Sequence, residues 1–201
     1  TGFVSTQYDP ALQLTTVGTI AGWFKSNVAD IGQNSSWRIV RIRQSTNVNN
    51  NNGVDFHLHQ AGPSDPMYIR IRLNGSSVKS STTAIAADTW YHGAVTWDGT
   101  NVNLYINGAV DRTTASSISA SYVDNLGPEI GGGSTDGYLD DVRIYNRVLS
   151  ATEIDALYKL GVGNCTNPVG KEGDLIFNDD AGIEALQYCD GANWQMIGKT
   201  P

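Results

Sequence analysis

Cysteine is nearly absent from this 201-residue chain: there are two, and neither stands in a C-x-x-C pair, which removes zinc-ribbon and thioredoxin-like chemistry. Charge is sparse as well. Thirteen Lys and Arg stand against 20 Asp and Glu, a formal net charge of −7, so non-specific attraction to nucleic-acid phosphate is disfavoured. No run of about 18 apolar residues is present to span a bilayer; nucleic acid and membrane insertion are both set aside. Helical periodicity is scarce, with one short stripe late in the chain. What is abundant is Gly, 22 residues, set with Asn, Ser and Thr around short alternating apolar runs. That is the composition of strands joined by turns, an all-β sandwich rather than an α/β enzyme.

The clearest signal is the stretch from Trp90 to Gly108. Val95 and Trp97 alternate with Thr96, and Val102, Leu104 and Ile106 alternate with Asn103 and Tyr105, the period of two of half-buried strands. Asp98-Gly99 and Asn107-Gly108 are dipeptides that accept positive φ at low cost and can close antiparallel hairpins. A second block, Gly137 to Ser150, ends in a strand and then changes period: Ile154, Leu157 and Tyr158 form one stripe of a short helix. Ser150 and Glu153 have capping-box spacing, and Gly161 is placed to stop the helix.

The two blocks read W-Y-H-x-A-V-T-W-D-G-T-x-V-x-L-Y-I-N-G and G-Y-L-D-D-V-R-I-Y-N-R-x-L-S-x-x-E-I-x-x-L-Y. In this order they resemble the laminin G-like, concanavalin A-type jelly-roll domains. The resemblance implies an antiparallel jelly-roll β-sandwich over residues 1–161. It says less about activity, because that superfamily holds lectins, pentraxins, adhesion modules, hydrolases and lyases.

Further strands are expected at Gly2 to Ser5, Leu12 to Leu14, Thr19 to Phe24, Trp37 to Arg43, Val54 to His59, Met67 to Leu73, Ser76 to Lys79 and Glu129 to Gly131. The glycines after Ile130 lack the Lys and helix of a phosphate loop and read as a turn. From about residue 162 to 201 the composition shifts, and Asp174 to Asn178, Ala185 to Cys189 and Asn193 to Ile197 read as three short strands of a small appendage. Cys165 and Cys189 read as a disulfide tying it. Such a bond would contribute roughly 3 kcal/mol to a segment too small for its own core, and it implies an oxidising location.

Candidate chemistry is cationic. Arg41 and Arg43, His57 and His59, and Tyr68, Arg70 and Arg72 each follow the strand period on their own segment. Phe56, Leu58, Met67, Ile69 and Ile71 take the opposite face. If the three segments are neighbours, Arg, His and Tyr converge on one surface, suited to an acidic glycan: Arg offers a fork for carboxylate or sulfate and the ring can stack on a sugar. The competing reading is a solvated outer face whose cations pair with Asp55, Asp65 and Asp88.

A sharper version makes His57 or His59, Tyr68 and Arg70 a β-elimination site, as in alginate lyases of the superfamily. Their R-x-E-L-R, Q-I-H and Y-F-K-A-G motifs are missing here, as is the E-x-D-x-x-E of the sandwich hydrolases. The D-D-V-R-I-Y segment resembles a strand whose first Asp serves a structural calcium in related sandwich enzymes; by that analogy Asp140 is a calcium ligand, with Asp9 of the Asp9-Pro10 turn as partner. The preferred function is a noncatalytic, lectin-like recognition or adhesion module on a secreted, cell-surface or virion protein, binding glycan or a protein surface. A structural subunit of a homo-oligomer or larger assembly competes with it, and a polysaccharide lyase is third.

Overall fold

The computed structural model describes residues 3–32, 35–43, 53–62, 64–74, 76–116, 126–133, 137–162, 175–178, 185–189 and 194–196, with the backbone alone at 43, 76–79, 162 and the last three segments. Two compact units divide the chain, 1–154 and 155–201.

Unit one is two antiparallel sheets. Its strands in chain order are β1 (Phe3–Ser5), β2 (Gly18–Ser26), β3 (Ser35–Arg43), β4 (Gly53–Gln60), β5 (Tyr68–Leu73), β6 (Ser76–Ser80), β7 (Tyr91–Trp97), β8 (Asn101–Ile106), β9 (Ala109–Ala115), β10 (Glu129–Gly131) and β11 (Gly137–Tyr145). A six-stranded sheet runs β1-β10-β3-β4-β5-β6 and a five-stranded sheet runs β11-β2-β7-β8-β9. The inner faces interlock as the alternation requires: Ile39, Val40, Ile42, Val54, Phe56, Leu58, Ile69, Ile71 and Leu73 from one sheet meet Ile20, Phe24, Val95, Trp97, Val102, Leu104 and Ile106 from the other. Each large side chain so buried stabilises the sandwich by roughly 1.5–3 kcal/mol. Gly93 of β7 faces this core, where an added Cβ would lie 2.8 Å from Phe24 Cε1 and 3.4 Å from Phe56 Cζ. Its missing side chain makes room for the two rings.

The hairpins form where the turn chemistry placed them. Asn107 and Gly108 adopt φ of 50° and 80°, the paired positive values of a type I′ turn, and His92 N–H donates to Asn107 Oδ1 at 3.0 Å. At the other turn Asp98 Oδ1 accepts from Thr100 N–H and Asn101 N–H. These bonds hold the Asp98 carboxyl down at about 2, the Thr100 hydroxyl contributing most. After Ile130 the expected turn is instead extended pairing: Gly131 ends β10 and Gly133 makes an isolated antiparallel bridge with Trp37, with φ of 79°, 99° and 113° at Gly131, Gly132 and Gly133. A Cβ at Gly133 would sit 2.4 Å from Ser36 O.

Two further expectations change. Leu12 to Leu14 is not a strand: Pro10–Leu12 is a single 3-10 turn whose N-cap is Asp9, because Pro10 presets φ for the first turn and Asp9 Oδ1 accepts from Ala11 N–H at 2.8 Å. The helix α1 (Ala151–Val162) runs through Gly161 instead of stopping before it. Its N-terminus is the expected capping box. Ser150 N–H donates to Glu153 Oε2 at 2.8 Å and Glu153 N–H to Ser150 Oγ at 3.3 Å.

Beyond α1, β12 (Leu175–Asn178), β13 (Ala185–Cys189) and β14 (Trp194–Met196) form a three-stranded antiparallel sheet in the order β12-β13-β14. Cys165 lies outside the described residues, and Cys189 is described by its backbone alone.

Candidate functional site

The predicted cationic segments are adjacent: β3 pairs with β4 and β4 with β5. Register brings their polar positions into three cross-strand rows on the face away from the core. The first joins Arg41, Asp55 and Arg72, with Glu129 of β10 opposite Arg41. The second joins Arg38, His57 and Arg70, with Ser80 of β6 opposite Arg70, and the third joins Ser36, His59 and Tyr68. Arg43 closes β3 opposite Gly53, backbone only.

Arg38 was missed by strict alternation, which puts it on the core side. A β-bulge between Arg38 and Val40 resets the period. Ile39 and Val40 are then both fully buried, and Arg38 and Arg41 both face outward. The readable signal was the apolar doublet Ile39-Val40 inside an otherwise alternating W-R-I-V-R-I-R run.

The face is not a simple array of exposed cations. His57 is 0% exposed and His59 7%; His57 lies between Arg38 and Arg70, and His59 between Ser36 and Tyr68. Asp55 occupies the middle of the group, with Oδ1 3.3 Å from His57 Nδ1 and Oδ2 3.9 Å from Arg38 Nε. His57 Nδ1 is also 3.2 Å from the Asp55 carbonyl oxygen. Both neighbours are acceptors, so Nδ1 carries the proton.

Burial pushes the Asp55 carboxyl up, but the His57 hydrogen bond and the charges of His57, Arg38 and Arg41 outweigh it and hold the group below its ordinary range. Burial lowers His59 to about 4, aided by the charges of Arg70, His57 and Arg72, so it is neutral at pH 7. Arg70 donates from Nε to Ser80 Oγ at 2.9 Å, and burial followed by the charge of Arg72 lowers its pKa. It stays a cation, since guanidinium does not deprotonate in proteins. Three buried nitrogens of this face, Arg38 Nε, His57 Nε2 and His59 Nδ1, have no hydrogen-bond partner among the described residues.

Four arginines with described side chains, Arg38, Arg41, Arg70 and Arg72, therefore share one surface with two carboxylates, Asp55 and Glu129. On an acidic protein this is a local positive excess. Of the three carboxylates considered as partners, Asp55 is the one set among the cations; Asp65 and Asp88 lie in turns outside these rows.

The two residues read as calcium ligands belong to different elements. Asp9 caps the 3-10 turn, and Asp140, on β11 opposite Trp23, accepts from Asp141 N–H at 2.8 Å. Among the described residues no three His, Cys, Asp or Glu side chains gather where they could hold a metal ion. Asp9 and Asp140 alone do not make a calcium cage, which needs about six to eight oxygens.

Residues 2–155 match the family described as the concanavalin A-like lectin/glucanases superfamily. The chain belongs to that superfamily. Among solved structures, the CBM40 domain of the Ruminococcus gnavus IT-sialidase bound to α2,3-sialyllactose is similar at 16% identity and TM-score 0.57, over 79% of this chain and 97% of that one. Domain 4 of AbnA, an extracellular GH43 arabinanase from Geobacillus stearothermophilus in complex with arabinotriose, is similar at 16% identity and TM-score 0.57, covering 78% of this chain and 72% of that one. A heptameric SAP-like pentraxin from Limulus polyphemus is similar at 18% identity and TM-score 0.54, covering 78% of this chain and 75% of that one. No curated protein matches the sequence. At these identities the likenesses establish the sandwich fold of this superfamily member and leave its ligand to its own side chains. Among the described residues no helix is long and apolar enough to cross a membrane.

Proposed function

We propose that this superfamily member is a noncatalytic recognition module that binds acidic glycan through the outer face of its six-stranded sheet. The observation that carries the reading is the convergence of Arg38, Arg41, Arg70 and Arg72, with Tyr68 at the end of the adjoining row. Guanidinium forks suit the carboxylate or sulfate of a charged sugar, and the phenol ring can lie against a pyranose face. His57 and His59 support this surface from below instead of touching ligand, since both are buried. Similar folds bound to sialyllactose and arabinotriose support a saccharide as ligand. The setting we propose is secreted or surface-exposed, where Cys165 and Cys189 would be oxidised. Calcium at Asp140 belongs to the same proposal and would need carbonyl oxygens from the loops to complete it.

A glycan array run with and without calcium tests this directly. Carboxylated or sulfated glycans are expected to be retained over neutral ones, and an Arg70→Gln/Arg72→Gln double variant should lose affinity by about tenfold or more. Calcium is expected to raise retention. Equal retention of neutral and acidic glycans, or a double variant that binds as the parent does, overturns the proposal. So does a solution oligomer that covers the arginine face.

A further inference from the structure

The five-stranded sheet carries a second row of different chemistry. Tyr138 of β11 is directly opposite Lys25 of β2. Phe24 pairs with Tyr91, the first residue of β7, so Trp90, one residue earlier, falls beside Lys25 on its other side. Tyr138 is 54% exposed and Trp90 42%. Their ring centroids are 6.4 Å apart with planes at 41°. Lys25 Nζ lies 5.0 Å from the Tyr138 centroid and 6.0 Å from that of Trp90.

Two features separate this row from ordinary surface. Trp23, Trp37 and Trp97 are all buried, whereas Trp90 presents a large apolar ring to solvent, an arrangement that forfeits roughly 25 cal/mol for every Å² left wet. Among the described residues, no carboxylate lies within ion-pair distance of Lys25, so two aromatic walls flank a cation that lacks an anion. Asp140, two residues along β11 from Tyr138 and therefore on the same face, is exposed and offers an acceptor for a hydroxyl.

We infer that Trp90, Lys25 and Tyr138 form a second binding site, for a pyranose bearing a carboxylate, such as a hexuronate or sialate unit. The aliphatic C–H face of the ring stacks on Trp90 or Tyr138 while its carboxylate meets the Lys25 ammonium. The site has the size of one sugar ring. A protein partner would need about 800 Å² on this side, and two rings with one cation fall far short of that. A cationic ligand of the kind aromatic cages hold would meet Lys25 as a like charge. The inference shares its ligand class with the arginine-face reading but uses none of the residues of that sheet face.

Titration of ¹⁵N-labelled protein with tetragalacturonate and with 3′-sialyllactose, against uncharged maltotetraose and lactose, tests it by NMR. Trp90→Phe identifies the Trp90 indole N–H signal among those of the five tryptophans. At least one acidic saccharide is expected to shift that signal saturably, with affinity about tenfold above its neutral counterpart. Lys25→Met should erase the difference and Tyr138→Ala should weaken binding of both. A Trp90 signal that neither acidic saccharide moves, or equal affinity for acidic and neutral sugars, overturns the inference. The Arg70→Gln/Arg72→Gln variant keeps the two proposals apart. Here the Trp90 response must persist; its loss would show that the row is no independent site. Conversely, Trp90 shifts without any response on β3 to β5 would sink the arginine-face reading and leave this one standing.

Discussion

The outer faces of the two sheets solve the same problem, a polar surface on a pleated layer, in opposite ways. On the six-stranded sheet the charges are drawn together: Asp55 sits among Arg38, Arg41 and His57, and two histidines are buried beside them. On the five-stranded sheet the Tyr138, Lys25 and Trp90 row is laid open, a cation over two rings with no carboxylate partner among the described residues. The first face is coupled internally, so its charges bear on stability as well as on binding. The second can give up its members with little effect on the fold. Surface charge is expensive to alter where neighbours depend on it and cheap where it faces water alone.

The largest expected effect is of pH, and it draws on one histidine from each face. His59 of β4 and His92 of β7 are each lowered from 6.5 to about 4, first by burial. For His59 the next cause is the charge of Arg70; for His92 the Asp141 carboxylate opposes burial and Arg143 reinforces it. Between about pH 6.5 and 4 the unfolded chain therefore binds protons that the folded chain refuses, and stability falls as pH falls. Above 6.5 neither group contributes a slope. Each histidine is worth on the order of 2–3 kcal/mol across that window. Thermal melts from pH 7.5 to 4 should show the decline, and His59→Gln or His92→Gln should each flatten it. A flat profile in the parent protein would mean that neither face buries its histidine as described.

Next comes Asp55. Replacing it by Ala leaves Arg38, Arg41 and His57 without the carboxylate between them, and denaturant melts should record a loss of about 2 kcal/mol, below the figure for a fully buried pair because Asp55 remains 14% exposed. Asp55→Asn, which keeps shape and an acceptor, should lose less. Both variants make the face more positive, so affinity for an anionic glycan should rise while stability drops. An Asp55→Ala protein as stable as its parent would put the two faces on the same footing.

Much of this contrast was legible in the residues, and what was not has a physical reason. Alternation in Val102, Leu104 and Ile106, turn chemistry at Asn107-Gly108 and the Ser150–Glu153 box are local signals, and each formed as read. The convergence of Arg41, His57, Tyr68 and Arg70 on one face followed from the strand period once the segments were neighbours. Four things escaped. Leu12 to Leu14 alternates like a strand, but Asp9 and Pro10 ahead of it supply a cap and a preset φ that local apolarity does not reveal. Arg38 needed the bulge at Ile39-Val40 to change sides. The burial of His57 depends on the long side chains of Arg38 and Arg70 from neighbouring strands, that of His59 is likewise no property of its own strand, and the Trp90–Tyr138 pair joins residues far apart in sequence that meet through β2. Such features live in register, which single-strand periodicity does not carry.

The smallest effect is the one that separates a presented surface from a structural cluster. Lys25→Met keeps an unbranched chain against the same rings and removes only the ammonium. A cation–π contact at an exposed site is worth about 0.5–1 kcal/mol, so the variant should unfold within that margin of the parent. Set beside Asp55→Ala, this is the sharpest form of the comparison: the same class of change, deletion of one charge from a sheet face, with at least a twofold difference in cost. If Lys25→Met cost as much as Asp55→Ala, the ammonium would be holding Trp90 and Tyr138 in place, and their exposure would be a by-product of packing. A near-neutral result leaves both rings and their cation free to be spent on a ligand.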